Sequence, residues 1–437
     1  MKISVIGCGY LGAVHAAAMA ELGHDVVGVD VDAAKIAALS TGEAPFFEPG
    51  LPEILSSALQ SGRLRFSTEF KEISEATVHF IAVGTPQKRG ENAADLTYVF
   101  RALESMLPFI GTGDLVVGKS TVPVGTAAQM AERLHEVAPD AGLAWNPEFL
   151  REGFAVQDTI SPDRLVYGVA PGESGNHAQS QLDEIYAAAI SSGTPQVVTD
   201  YATAELVKVS ANAFLATKIS FINAMAEIAE VSGADVTQLA DAIGYDPRIG
   251  RRFLNAGVGF GGGCLPKDIR AFSARAEELG RGESVAFLKE VDAINLRRRQ
   301  RAVDMVLEEL GGQPYEKKVA VLGLAFKPDS DDVRDSPALD VAVQLHGRGA
   351  VVVAYDPEAM ANSGRLHPQL AFAGSAENAL EGADVVVVVT EWKEFRELDP
   401  VVVGRLVKSK VVVDGRNCLD VNAWRSAGWT YRGMGRP

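Results

Sequence analysis

Short, almost unbroken apolar runs recur along the chain, each closed by glycine, proline or a small hydroxyl residue. Lys2 to Ile6, Asp25 to Asp30, Thr77 to Val83, Leu115 to Lys119 and Leu143 to Asn146 have this form in the first part. Lys318 to Phe326, Ala350 to Tyr355, Ala383 to Thr390 and Lys410 to Asp414 repeat it near the end. Runs with no polar alternation are what parallel strands covered on both faces look like. Helical stretches stand between them, such as the small-residue segment Ala13 to Leu22 and Ala338 to Gly347. The pattern changes over Tyr201 to Val231, which holds no glycine or proline and carries Leu206, Val209, Ala213, Ile219, Ile222 and Met225 at helical spacing. That spacing predicts one helix of about 30 residues and roughly 45 Å. The expected fold is α/β, with two Rossmann-like, doubly wound parallel sheets joined by a long central helix and a helical dimerisation region. The boundaries fall at 1–200, 201–300 and 301–437.

Composition narrows the partners. The chain has 437 residues, too many for one ordinary core. Lys and Arg total 41 against 57 Asp and Glu, a net charge of −16, which disfavours nucleic acid and anionic membrane surfaces. The first residues enter a strand without a signal peptide's charged lead and apolar core, and no apolar run reaches the roughly 20 residues that span a bilayer. Three scattered cysteines, Cys8, Cys264 and Cys418, suit neither a disulfide framework nor a metal site, so a reducing cytoplasm is expected.

The first strand runs into Gly7-Cys8-Gly9-Tyr10-Leu11-Gly12. A G-x-G-x-x-G between a strand and a helix has a physical job at each glycine: Gly7 turns the chain, Gly9 admits a pyrophosphate, and Gly12 lets helix and strand pack closely. Asp30, 18 residues after Gly12 at a strand end, suits a ribose diol and would repel a 2′-phosphate, so the expected cofactor is NAD. Later strand ends carry Gly84-Thr85-Pro86, Ser120-Thr121 and Asn146-Pro147-Glu148-Phe149-Leu150-Arg151-Glu152. In doubly wound sheets ligands bind at such ends, although each hydroxyl is also a candidate helix cap.

The candidate chemistry centres on Asn255 to Asp268, where five of the seven residues from Gly257 to Gly263 are glycine, and Cys264, Pro266, Lys267 and Asp268 follow. So many glycines predict a loop, open to the close approach of a ligand, that presents Cys264 as a nucleophile beside an ammonium. Lys208 and Asn212, four apart on the long helix, share a face. Lys327, Arg334 and Arg416 fall at strand ends of the second sheet, either to hold a diphosphate or to pair with Asp331 and Asp332.

Taken together, the two nucleotide-binding folds, the long helix and the F-G-G-G-C-L-P-K-D loop resemble the UDP-glucose/GDP-mannose dehydrogenases across essentially the whole chain. Asp246-Pro247-Arg248-Ile249-Gly250 with Phe253-Leu254-Asn255 is most like the branch that acts on UDP-glucose. The resemblance implies a four-electron oxidation to UDP-glucuronate, with Cys264 as nucleophile, Lys208 and Asn212 supporting oxyanions, Asp268 and Thr121 positioning and activating water, and Glu148 as base. It also implies that Tyr10, Leu11, Lys35, Gly84, Thr85, Pro86, Ser120, Thr121, Glu152, Lys267 and Arg334 attend NAD. Glu148, Phe149, Leu150, Arg151, Phe253, Leu254, Asn255, Gly261, Lys327 and Arg416 would attend the nucleotide sugar, and Arg248 would reach the neighbouring subunit's substrate in a homodimer or larger assembly. One departure is visible: Gly263 stands where many relatives have serine. Another nucleotide sugar (dTDP-glucose, GDP-mannose or UDP-N-acetylmannosamine) or a sensor without turnover are the alternatives.

Overall fold

Residues 1–437 are described by a computed structural model in which the chain folds as two units. One comprises Met1–Ala211 with Ala274–Gly282, the other Asn212–Ser273 with Glu283–Pro437.

The first unit is built on eight strands: β1 (Lys2–Ile6), β2 (Asp25–Val29), β3 (Leu64–Ser67), β4 (Val78–Ile81), β5 (Leu115–Gly118), β6 (Gly142–Trp145), β7 (Leu165–Val169) and β8 (Gln196–Thr199). They lie in the order β3-β2-β1-β4-β5-β6-β7-β8. All pairings are parallel except β6 with β7, which is antiparallel and departs from a purely parallel sheet. Helix α1 (Tyr10–Glu21) is buried almost all round because alanine and glycine let it lie close to the strands. Helices α2 (Thr126–Val137) and α3 (Ala155–Ile160) follow β5 and β6. The order reverses between β1 and β4, so the turns after those strands flank the switch point where ligands bind.

Helix α4 runs from Tyr201 to Ser232, 32 residues, close to the expected span. Helix α5 (Leu265–Glu278) starts immediately after Cys264, so Lys267 and Asp268 sit in a helix's first turn and not in the loop expected for them. Pro266 explains the early start, since its missing N–H costs nothing at a helix's opening. Helix α6 (Phe287–Glu309) leads to a six-stranded parallel sheet: β9 (Lys318–Leu322), β10 (Val351–Tyr355), β11 (Ala371–Phe372), β12 (Val385–Val388), β13 (Val411–Asp414) and β14 (Thr430–Gly433). Its order is β11-β10-β9-β12-β13-β14, with α7 (Pro337–Gly347) after β9. β9 stops at Leu322, short of the expected Phe326, because Gly323 turns with φ +106° and the next two amides are drawn to Asp356. No helix is long and apolar enough to cross a membrane.

Candidate functional site

In the first unit the glycine turn fits a dinucleotide. A Cβ on Gly12 would stand 1.7 Å from the Gly7 carbonyl oxygen, so only glycine lets α1 lie so close to the turn, whereas a Cβ on Gly9 would meet nothing within 4 Å. Open space at the head of α1, next to unpaired helix amides, is what a pyrophosphate requires. Asp30 accepts from the amides of Cys8 at 2.8 Å and Asp32 at 3.0 Å and from Lys35 Nζ at 2.9 Å. Burial pushes its carboxyl up, but the Asp32 amide, Lys35 and the Cys8 amide outweigh this and hold it below the ordinary value. Lys35 is thus paired with Asp30.

The hydroxyls after β4 and β5 are not helix caps. Ser120 donates to the Val83 carbonyl at 2.7 Å, and Thr85 to the Thr121 carbonyl at 2.8 Å, which locks the two turns beside the switch point together. The exposed backbone of Gly84 and Pro86 lies alongside. Glu148, past β6, pairs with Lys208 Nζ at 3.0 Å and accepts from the Leu150 amide at 2.6 Å. The Phe149 ring lies under Arg164, 3.8 Å from the guanidinium carbon, with Lys208 Nζ at 5.6 Å. Arg151 is held by both oxygens of Asp158, at 3.0 and 2.6 Å.

The second unit shapes the cysteine. Cys264 is exposed at the head of α5, and its carbonyl accepts the Asp268 amide at 2.9 Å. Asp268, only 3% exposed, takes Asn212 Nδ2 at 2.6 Å and Lys267 Nζ at 2.7 Å. Lys208 and Asn212, one turn apart on α4, therefore serve different carboxylates.

The glycines of the run pack closely against the protein, two of them directly against backbone carbonyls. A Cβ on Gly257 would lie 2.5 Å from the Gly415 carbonyl oxygen, and one on Gly261 2.3 Å from that of Asp335. A Cβ on Gly263 would lie 2.4 Å from Arg334 Cζ, whose guanidinium fills that space while pairing with Asp332 at 2.7 Å. Arg416 donates to the carbonyls of Val389, Gly259 and Phe326 at 2.9, 2.8 and 3.0 Å, so its visible partners belong to the protein. Lys327 Nζ lies 5.5 Å from the Phe326 ring centre. Phe253 has φ +67°, rare for a bulky residue, just before buried Leu254 and exposed Asn255. Arg248 is exposed and clamped by Asp246 at 2.6 Å.

Comparison with known proteins gives this arrangement a lineage. The NAD binding domain of the UDP-glucose/GDP-mannose dehydrogenase family matches residues 1–190, the family's central domain 202–297, and its UDP binding domain 320–421. The chain belongs to that family. It is 42% identical, over the whole of both chains, to UDP-glucose 6-dehydrogenase of Rhizobium meliloti (strain 1021). Among solved structures it is similar to a UDP-glucose dehydrogenase of Pyrobaculum islandicum, at 40% identity and TM-score 0.90, covering 100% of this chain and 98% of that one. It also resembles the UDP-D-ManNAc dehydrogenase of Pyrococcus horikoshii, at 28% identity and TM-score 0.87, covering 100% and 99%. The chain carries the family's NAD-binding domain, into which its glycine turn and Asp30 fit.

Several residues that build the family's architecture here escape a reading of the sequence. In the second sheet Asp356 takes the place that Asp30 has in the first, but it is fully buried and saturated by the amides of Leu324, Ala325, Glu358 and Ala359 and by the Trp392 indole. No acceptor is left there for a second dinucleotide ribose. Buried Glu48 accepts from the Tyr10 hydroxyl and from the amides of Gly153 and Ala155 at 2.6 and 2.7 Å, tying the glycine turn to the segment after β6. Burial, then Glu48, pushes the Tyr10 phenol well above its ordinary value, so it remains a donor. Buried Glu205, one turn before Lys208, caps α2 through the amides of Gly125 and Ala127, each at 2.7 Å. On α6, Asn295 pairs with both the N–H and the carbonyl of Phe260 at 2.7 and 2.9 Å, and Arg299 reaches the Asp335 carbonyl at 3.1 Å. Only their i, i+4 spacing on one helix hinted at a shared task.

Proposed function

We propose that this chain oxidises UDP-glucose to UDP-glucuronate with NAD through a covalent thioester on Cys264. What carries the reading is the exposed cysteine at the head of α5, one turn before an Asp268 that is bonded to both Asn212 and Lys267. The end-to-end similarity to proteins named UDP-glucose 6-dehydrogenase supports the choice of substrate. Residues 1–200 hold the cofactor, 201–300 the thiol, and 301–437 the nucleotide, in this proposal.

Bound NAD supplies the acceptor for a hydride, twice for each sugar. Glu148, directly or through water, takes the proton of the C6 hydroxyl as the first hydride leaves that carbon. The Cys264 thiolate then adds to the aldehyde: the S–C bond forms, the C=O pair moves to oxygen, and Lys208 and Asn212 stabilise the resulting charge. Loss of the second hydride re-forms the carbonyl as a thioester. After Glu148 has released its first proton to solvent, water positioned by Asp268 and Thr121 gives a proton to it and attacks, the C–S bond breaks, and thiolate returns. Overall, one alcohol, two NAD⁺ and one water give one carboxylate, two NADH and three protons. A dehydrogenase that stopped at the aldehyde would need no thiol.

The deciding measurement is the NADH formed per mole of UDP-glucose, expected to be two. One NADH per sugar, or stoichiometric binding with none, overturns the reading. Faster turnover of dTDP-glucose, GDP-mannose or UDP-N-acetylmannosamine would reassign the sugar. Cys264→Ser and Cys264→Ala are expected to abolish net oxidation, and near-normal NADH from either removes the nucleophile's assignment.

Two further features belong to the same reading. Phe214, Phe221 and Ile228 are 66%, 49% and 60% exposed at seven-residue spacing on α4, a stripe suited to a second copy of this chain. Arg248 reaches the partner's substrate in such a dimer. All three cysteines are free thiols, as suits a reducing cytoplasm.

A further inference from the structure

Lys119 takes no part in the proposed chemistry, yet it is 6% exposed at the end of β5, directly before Ser120 and Thr121. Its ammonium donates to Asn146 Oδ1 at 3.0 Å and to the Tyr186 hydroxyl at 3.1 Å. That hydroxyl donates to the same Asn146 oxygen at 2.8 Å, and Asn146 Nδ2 donates to the Val166 carbonyl at 3.0 Å. The rings of Phe80 and Tyr186 lie 5.6 and 5.7 Å from the ammonium, within cation–π range. Asn146 stands two residues before Glu148, so a single cation joins the strand end that carries Thr121 to the one that carries Glu148. Burying an ammonium costs several kcal/mol, and an unbranched methionine would fill much the same space without that cost. Packing alone therefore does not account for a lysine.

The charged groups around it are few. Glu148, past β6, favours the ammonium, whereas Lys208 on α4 opposes it. His15 on α1 lines the same cavity, along with Arg164, Asp158 and Asp163. Burial pulls the Lys119 ammonium down from its ordinary value to about 8, within reach of working pH.

We propose that Lys119 is a positioning residue: its buried ammonium holds the segments leading to Thr121 and Glu148 in one register, and the hold lasts only while the ammonium is charged. The inference rests on the oxidation proposed above.

The test is kcat against pH from 6 to 10 with UDP-glucose and NAD, for the wild type and for Lys119→Arg, Lys119→Met and Tyr186→Phe. The wild type should lose activity as pH rises through about 8. Lys119→Arg should keep its activity above that pH, since a guanidinium stays charged. Lys119→Met should lose about 30-fold in kcat, roughly the effect of misplacing a catalytic group, with KM changed less than about threefold. Tyr186→Phe removes one acceptor and should move the fall to lower pH. A second readout does not need turnover: hydrogen exchange at 119–122 and 146–150 should quicken in Lys119→Met. If Lys119→Met keeps kcat within about threefold of wild type, or the alkaline fall is unchanged in Lys119→Arg, the inference is overturned. Should Lys119→Met not fold, Lys119→Arg and Tyr186→Phe decide. If the wild type forms no NADH, the oxidation reading fails on its own, while unchanged exchange in Lys119→Met overturns the positioning role separately.

Discussion

Gly263 gives up a side chain so that the Arg334 guanidinium can occupy the space just ahead of Cys264. The clash that any Cβ would bring falls on the far end of a flexible arginine, so the arginine can move at small cost. Gly263→Ser is therefore expected to keep the thermal midpoint within about 2 °C and, in the proposal that Arg334 attends NAD, to raise KM for NAD about tenfold, the size of one lost charge-assisted hydrogen bond. An unchanged KM would separate Arg334 from the cofactor. His15 illustrates the reverse, a side chain whose burial has a pH-dependent cost. It is 1% exposed, its Nε2 has no hydrogen-bond partner, and burial, then Lys119, holds the imidazole well below its ordinary value. The folded protein thus keeps His15 neutral at pH values where the unfolded chain binds a proton. Stability from this group is intact above about pH 6.5 and falls by up to about 1.4 kcal/mol for each pH unit below. His15→Met should show a smaller drop in thermal midpoint between pH 7 and 5 than the wild type; an equal drop would contradict the burial argument.

At the scale of elements, α6 supports the cysteine loop from outside it. Asn295 is fully buried and gives Phe260 the two hydrogen bonds that a strand partner would supply. Asn295→Ala leaves the buried Phe260 N–H without a partner and its carbonyl with only the longer bond from Arg299, at 3.5 Å, a loss of about 1–3 kcal/mol. The expected result is a lower thermal midpoint with faster proteolysis at 255–263, and a loop as resistant as the wild type's would show that α6 is not its support. Beyond the i, i+4 spacing of Asn295 and Arg299, Ala293-Ile294-Asn295-Leu296-Arg297-Arg298-Arg299 does not mark this in advance, because a polar helix face reads as solvated until its partner is known. Glu48 and Glu205 hide for the same reason: the amides they hold lie 105 and 78 residues away along the chain for Gly153 and Ala127. Elements governed by local physics were legible, namely the buried parallel strands, the glycine turn before Asp30, the long helix and the thiol after the glycines. What stayed hidden depends on distant partners: the reversed β7, the role of the loop glycines, and Lys119.

At the scale of the whole molecule, the helical stripe and Arg248 make linked demands. Single exposed apolar residues are ordinary, but Phe214, Phe221 and Ile228 recur every seven residues and so form one line along α4. Phe221→Glu would place a charge in the middle of that line, and light scattering should then give the mass of one chain where the wild type gives at least two; a variant that stays dimeric rules the stripe out as the interface. Arg248, with its side chain 87% exposed, allows a sharper test. Arg248→Ala and Cys264→Ser are each expected to be nearly inactive alone. In a mixed dimer, however, the subunit with an intact thiol would face the arginine of the Cys264→Ser chain, and one of its two sites would be whole. Equal amounts exchanged at random put half the population in mixed dimers with half their sites active, so about one quarter of wild-type NADH formation should return. If Arg248 served its own subunit's substrate, the Cys264→Ser partner would bring an arginine to the wrong site, and mixing would restore nothing.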